Sequence, residues 1–404
     1  NSKVFNELKL RASYGQTGNQ EGIRLYDYIQ LLKFRDDGWG TKLIYPFGNG
    51  SQSQAMGLDV LAGVDRTWEI LENVNVGVDA AFLDSRLGFS FDYFVKMNNN
   101  MLIPVTYPSM LGAEAPYSNS GKLRTNGFEL TLNWTDKIGN VEYSAQFQLT
   151  DAVNKLVEYG GADTYKLGLN ETREGYPMNS YFAYVYDGVI KDQADLDAYK
   201  KLEGVPSNIG IGDAKFKDLN GDGKISTYGD KDGDDGDAEY VGSTTPRYSF
   251  GLNLGAKWNN FDISVFFQGV AKRTLFREGD FAMPWSDWWR YPPQFYYGQT
   301  WNEDRPDAYY PRLTHGEIRH WNYQASTLQK INAAYIRLKN IQIGYTLPKG
   351  ALQKLGIERT RFYVSGQDLF EIHNVKGGWD PESDKAGFNY PFQRYYSFGI
   401  DLTF

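Results

Sequence analysis

The residues best spaced for chemistry lie at 218–225, Asp-Leu-Asn-Gly-Asp-Gly-Lys-Ile. Asp218, Asn220 and Asp222 stand at the first, third and fifth places of an oxygen-donor calcium loop, and Gly223 at the sharp turn that follows. Lys224 would add a backbone carbonyl and Ile225 the apolar anchor. Calcium takes about six to eight oxygens, and three side chains with one carbonyl supply about four. The place usually held by Glu is Gly229, so Asp230, or one of Asp232, Asp234, Asp235 and Asp237, must complete the shell. The expectation is a structural calcium in the Asp218–Asp230 loop, set against a solvated acidic loop without an ion. No organic cofactor is expected.

A second concentration of chemistry is aromatic. Between 281 and 323 lie Phe281, Trp285, Trp288, Trp289, Tyr291, Phe295, Tyr296, Tyr297, Trp301, Tyr309, Tyr310, Trp321 and Tyr323, interleaved with Asp287, Arg290, Asn302, Glu303 and Arg305. Flat rings beside short hydrogen-bonding groups suit the apolar face and hydroxyl rim of a sugar. Protein interfaces use the same residues. Trp285, Trp288, Trp289 and Tyr291 are the expected substrate-binding residues.

Enzymatic readings find little. His315-Gly-Glu-Ile-Arg-His320 sets a Glu between two His, but not at the spacing of the metalloprotease helix, and Gly316 argues against a helix there. Three His and no Cys leave nucleophilic triads without material. Gly210-Ile211-Gly212 lacks the strand-to-helix context of a phosphate loop. No enzyme is expected.

The segments that must carry these loops alternate with period two. Leu8, Leu10, Ala12 and Tyr14 alternate with Lys9, Arg11 and Ser13, and Gly15 to Asn19 is read as a break. Val74 to Phe82 turns at Asp84-Ser85-Arg86 and returns as Leu87 to Tyr93. Phe128 to Trp134 turns near 136–140 and returns as Val141 to Leu149. Tyr248 to Trp258 turns at Asn259-Asn260 and returns as Phe261 to Phe267. Parity slips near Lys339, where a bulge is expected. Two brief helices are expected, Gln193 to Leu202 and Lys349 to Leu355. The chain closes on Tyr396, Phe398, Ile400, Leu402 and Phe404 along one face.

Composition narrows the solvent these strands meet. Aromatics are 16% of 404 residues, and no run approaches the apolar length of a membrane helix, about 18 residues. A membrane protein of this kind must be a barrel, where alternation dilutes the apolar residues. The net charge of −8 argues against nucleic acid. Short turns at 84–86, 136–140 and 259–260 alternate with long loops at about 98–124, 151–246, 271–333 and 371–390, the asymmetry of periplasmic turns and extracellular loops. Trp134, Trp258, Phe261 and Tyr345 sit at strand ends as an interfacial girdle would. The expected fold is all-β, a transmembrane antiparallel up-and-down β-barrel of roughly twelve to fourteen strands in this chain. Glu129, Glu142, Gln146, Asp262 and Gln268 would face its watery interior. A passive porin of about 14–16 strands and a surface glycan-binding β protein are the competing classes.

The chain resembles the SusC-like family of TonB-dependent outer-membrane transporters. The resemblance rests on Leu8–Asn19 (LKLRASYGQTGN), Arg124–Leu130 (RTNGFEL), Asp218–Ile225, Tyr335–Tyr345 (YIRLKNIQIGY), Val364–Phe370 (VSGQDLF) and the closing strand. It implies a barrel of about 22 strands with a plugged lumen, in a Gram-negative outer membrane. The plug and first strands are expected to lie outside this stretch, which would be the C-terminal part of the barrel. It further implies TonB, contacted through the missing N-terminal part, a SusD-like surface lipoprotein lid, and import of oligosaccharide or oligopeptide cargo. In this light Trp301 to Leu313 is shared loop architecture or lid contact. Phe398, Gly399, Leu402 and Phe404 serve as an outer-membrane assembly signal.

Overall fold

The alternating segments become ten long strands. In the computed structural model they are β1 (Phe5–Asn19), β2 (Glu69–Phe82), β3 (Leu87–Pro104), β4 (Tyr117–Ile138), β5 (Val141–Tyr159), β6 (Arg247–Trp258), β7 (Phe261–Lys272), β8 (Tyr335–Thr346), β9 (Arg359–His373) and β10 (Tyr395–Thr403). Each pairs antiparallel with its sequence neighbours, giving one up-and-down sheet. The structure describes residues 5–404 except 24, 37–41, 49, 51, 64, 106–109, 111–114, 162–166, 229–235, 285–292, 349–355, 384–386 and 388, with the backbone alone at 169, 170 and 280.

Register assigns the two faces, because residues paired across strands share one. One row reads Leu10, Val78, Phe91, Leu130, Leu149 and Phe250 across six strands. Another reads Ile263, Ile343, Val364 and Phe398 across the last four. Leu10 is 79% exposed and Phe398 84%, so this oily face has no protein partner among the described residues. The opposite face carries Asp92, Glu129, Thr150 and Ser249 in one row and Glu142, Lys257 and Asp262 in another. Gln146 and Gln268 share it, opposite Asn253 and Gly251. The five residues expected on the watery side are therefore on the polar face.

That face is tied by arginines. Arg11 reaches Asp79 at 2.8 Å and Asp92 at 2.7 Å. Arg361 reaches Asp262 at 2.6 Å and Asp401 at 3.1 Å. Both lie over glycine: a Cβ on Gly77 would come 2.4 Å from Asp92 Oδ1, and one on Gly344 would come 2.4 Å from Arg361 Nη2.

Turns segregate by length with one exception. The pairs β2–β3, β4–β5 and β6–β7 join through 83–86, 139–140 and 259–260, and β8–β9 joins at the same end through the longer 347–358, while 20–68, 105–116, 160–246, 273–334 and 374–394 lie at the other end. Asn259 takes a left-handed φ of 52°, which asparagine tolerates better than most residues. At the short-turn end Trp258 stacks on Phe261 at 6.3 Å, and Phe261 meets Tyr345 at 4.7 Å. The parity slip near Lys339 is a register shift between Leu338 and Asn340.

Several boundaries differ from the sequence reading. Among the described residues the large sheet has ten strands, against the twelve to fourteen expected of the chain. β1 runs through Gly15 to Asn19 without a break, and β3, β4 and β5 continue far into the segments read as loops from 98 and 151. The cause is physical. At about 3.3 Å per residue, the 22 residues of β4 far exceed the roughly 9–11 needed to cross a bilayer. Beyond the apolar band neither face needs oily residues, so Asn98, Asn99, Asn100, Ser118, Asn119 and Ser120 remain strand without alternation. The helix expected at 193–202 is α1 (Gln193–Tyr199); the one at 349–355 lies outside the described residues. Gly316 does not prevent a helix: α2 spans Gly316–Tyr323. It buries Ile318, Trp321 and Asn322 on one face, and that burial outweighs the propensity cost of a single terminal glycine.

Candidate functional site

The dry core of this chain is in its loops. Loops 160–246 and 273–334 fold together around Tyr184, Ile190, Leu196, Tyr199, Phe216, Ile225, Ile318 and Trp321, all buried. α1 begins where the Asp192 carboxylate accepts from Asp195 N at 2.9 Å, and it presents Leu196 and Tyr199 three residues apart to that core. α2 docks on the short strand Ala214–Phe216: Trp321 Nε1 donates to Ala214 O at 2.9 Å, and Asn322 Oδ1 accepts from Ala214 N at 2.8 Å.

One buried charge joins the two loops. Asp213, wholly buried, accepts from Arg312 Nε and Nη2, each at 2.7 Å, from Asn322 Nδ2 at 2.9 Å and from Gly210 N at 2.7 Å. The sequence reading did not identify Asp213 as a site residue. Its only signal was Arg312, inside the stretch assigned to shared loop architecture.

The 218–225 loop is a tight turn in which side-chain oxygens accept from backbone amides. Gly221 and Gly223 are left-handed, with φ of 73° and 80°, and Ile225 is buried in the loop core as the anchor. Asp218 accepts from Gly221 N and Gly223 N, and Asp222 accepts from Lys224 N. Asn220 Oδ1 accepts from Asp222 N. Behind them Asp237 accepts from Leu219 N and Ser226 N. Burial, with the Asp218 and Asp222 carboxylates nearby, holds its carboxyl above the usual range despite those amides. Three acids thus repel across this loop, a charge a cation would relieve. Among the described residues, however, no three His, Asp or Glu converge as a metal set, and Asp230 lies outside them.

The aromatic stretch divides. Tyr296, Tyr310 and Tyr323 form a buried cluster with Leu328, around Arg277, which donates to Tyr310 Oη and Leu328 O. Trp301 closes over Gly212, where a Cβ would meet its ring at 2.3 Å. Tyr297 and Tyr309 are 90% and 57% exposed. Trp285, Trp288, Trp289 and Tyr291 lie outside the described residues. Phe398, Leu402 and Phe404 are exposed on β10, and Gly399 admits the ring of Tyr363, 2.2 Å from a Cβ placed there.

Between the loop core and the tops of β5, β6 and β7 lies a cavity of about 300 Å³. Arg247, Lys272, Arg273 and Lys330 line it with Glu239, Tyr240 and the hydroxyl-bearing Ser243, Thr245, Thr274 and Thr327.

No family model matches the chain. A curated relative, TonB-dependent receptor P3 of Formosa agariphila, is 26% identical over 437 aligned residues, covering 100% of this chain and 40% of the relative. TonB-dependent receptor P26 of the same organism is 26% identical over 435, with the same coverages. This chain therefore spans about 40% of the length of the curated relatives it matches. Among solved structures, that of the RagAB peptide transporter matches with a TM-score of 0.75 at 23% identity, over 100% of this chain and 41% of that one. The RagAB peptide importer in the 'open-open' state matches with a TM-score of 0.73 at 24% identity, over 100% of this chain and 41% of that one.

Proposed function

We propose that the chain is β-barrel wall of a SusC-like TonB-dependent transporter, a reading supported by its likeness to TonB-dependent receptors and to the RagAB fold, and that it serves the import of oligosaccharides across a Gram-negative outer membrane. The observation that carries the reading is the two-faced sheet. An exposed oily face and an arginine-tied polar face suit a wall between lipid and water. The relatives it matches are TonB-dependent receptors rather than enzymes, and this reading assigns the chain transport and no catalysis.

In this proposal the ten strands are the C-terminal part of the barrel, and the plug and TonB-contacting segment belong to the length its relatives have beyond it. The long-loop end faces outward, and its loop core is the surface on which a SusD-like lipoprotein lid would rest. Exposed Tyr297 and Tyr309, with Trp285, Trp288, Trp289 and Tyr291, would offer ring faces to sugars. Asp218, Asn220, Asp222, the Lys224 carbonyl and Asp230 would hold a calcium that stiffens the loop.

Oligopeptide import is the second reading, favoured by the likeness to the RagAB peptide transporter. Mass spectrometry of oligomers that co-purify from detergent extracts separates the two. Oligosaccharide together with a lipoprotein of equal abundance supports the first; peptide in its place establishes the second. Steady conductance in planar bilayers, with neither lipoprotein nor energy-dependent uptake, would replace both with a passive pore.

A further inference from the structure

We propose that the cavity between the loop core and the tops of β5–β7 is a subsite for one acidic sugar unit of the cargo, a residue carrying a carboxylate or a sulfate. This rests on the oligosaccharide-import reading and narrows it to a substrate class.

The charge in the cavity runs against that of the chain. The whole sequence carries 42 basic and 50 acidic residues, yet the lining holds Arg247, Lys272, Arg273 and Lys330 against Glu239 alone. Arg247 is already matched, bonded to both Asp151 oxygens at 2.5 and 2.6 Å. The other three make no ion pair among the described residues. Lys272 and Lys330 are exposed on the wall. Arg273 is half-buried; its Nη1 donates to the Pro381 carbonyl at 2.6 Å, and its Nε is buried without a partner. A guanidinium held by a neutral carbonyl keeps its full charge, and a buried donor left unmade is costly. An oxyanion entering the cavity would balance that charge.

Shape and polarity select the carrier of that oxyanion. A volume of about 300 Å³ is at the small end for ligand sites, which run from about 300 to 1,000 Å³, and takes a single unit of an oligomer. The wall offers the hydroxyls of Ser243, Thr245, Thr274 and Thr327, the ring of Tyr240, and cations. Those are partners for a pyranose ring and its acid group. A peptide would add a main chain of amide donors, and Glu239 is the one carboxylate in the lining to meet them.

The test uses the whole transporter with its lid, purified in detergent and titrated calorimetrically with four probes: tetragalacturonate, galactose tetramers with and without sulfate, and tetraglutamate. The variants are Lys272→Gln, Lys330→Gln and the pair together; both lysines are exposed, and folding is checked by the heat-dependent gel mobility of the barrel. Expected is preference for a charged saccharide over the neutral tetramer, weakened by added salt. Each substitution should lower its affinity by about tenfold, the effect of one charge-assisted hydrogen bond, with the neutral tetramer unaffected. Equal binding of neutral and charged saccharides, indifference to both substitutions, or no binding of either charged saccharide overturns the subsite and leaves import intact. Tetraglutamate bound in preference to every saccharide, with peptide as the co-purifying cargo, overturns the import reading beneath it.

Discussion

Asp213 and Arg312 form a two-point ion pair, Nε to Oδ1 and Nη2 to Oδ2, each at 2.7 Å, across 99 residues of chain. It clamps loop 160–246 to loop 273–334 at the place where α2 meets the strand Ala214–Phe216. The Asp213 side chain is wholly buried while Arg312 keeps 35% exposure, so the two substitutions differ. Arg312→Ala strands a buried carboxylate and is expected to destabilise the loop core by about 2–4 kcal/mol. Arg312→Ala with Asp213→Ala should cost less than Arg312→Ala alone. Hydrogen exchange of the α2 and 214–216 amides reads the loss, while the ten-stranded sheet keeps its protection.

The same core carries a pH signature. Burial pushes the Tyr184 hydroxyl up to about 12 and raises Tyr199, Tyr296 and Tyr323 by the same cause. A folded pKa above the unfolded one means that the folded form holds its proton more tightly. Stability is therefore unaffected below about pH 10 and falls as pH rises from there through about 12. Ultraviolet tyrosinate absorbance should show these tyrosines ionising late and together, as the loop core opens. Gradual ionisation at the ordinary value would show that the core is wet.

The acidic loop is tested by calcium itself. Calorimetry on chelator-stripped protein should give binding heat, and Asp218→Ala or Asp222→Ala should lower the affinity by at least about tenfold, since each removes a charged ligand. Bound calcium should also raise the protease resistance of 218–237. Absence of heat in the native protein leaves only a solvated acidic turn.

Gly399 sits under the ring of Tyr363 on the neighbouring strand, in direct register with it, and a Cβ at 399 would stand 2.2 Å from that ring. Gly399→Val forces the ring aside, an overpacking cost of about 1–3 kcal/mol. The folded fraction in outer-membrane preparations, read by gel mobility with and without heating, should fall. Gly399→Val together with Tyr363→Ala should recover most of it.

What the sequence made legible follows from where lipid is. Leu10, Phe91, Leu130 and Phe250 alternate with polar residues, as the barrel-wall reading requires of a face turned to hydrocarbon, and their strands and short turns were readable. The upper parts of β3, β4 and β5 stand clear of that band; with Asn98 to Asn100 and Ser118 to Ser120 polar on both faces, period two vanishes and the strands passed for loops. The loop core was hidden for another reason. Asp213, Arg312 and Asn322 are brought together by tertiary folding across about a hundred residues, and no local spacing announces such a set. α2 was obscured by Gly316, although Ile318, Trp321 and Asn322 mark its buried side. The turn at Gly223 and the buried Ile225 were legible because a tight turn dictates residue types one position at a time.

The central claim is that β6 divides lipid from water, and because the chain has no cysteine it can be tested residue by residue. A spin label placed singly at each position from 250 to 256 in membrane-embedded protein reports collisions with oxygen, which partitions into lipid, and with a water-soluble nickel chelate. Expected are oxygen maxima at Phe250, Leu252, Leu254 and Ala256, and nickel maxima or immobilised lumenal contacts at Gly251, Asn253 and Gly255. If the oily positions are instead shielded from both reagents, they are packed in a dry protein interior and this strand is not a barrel wall.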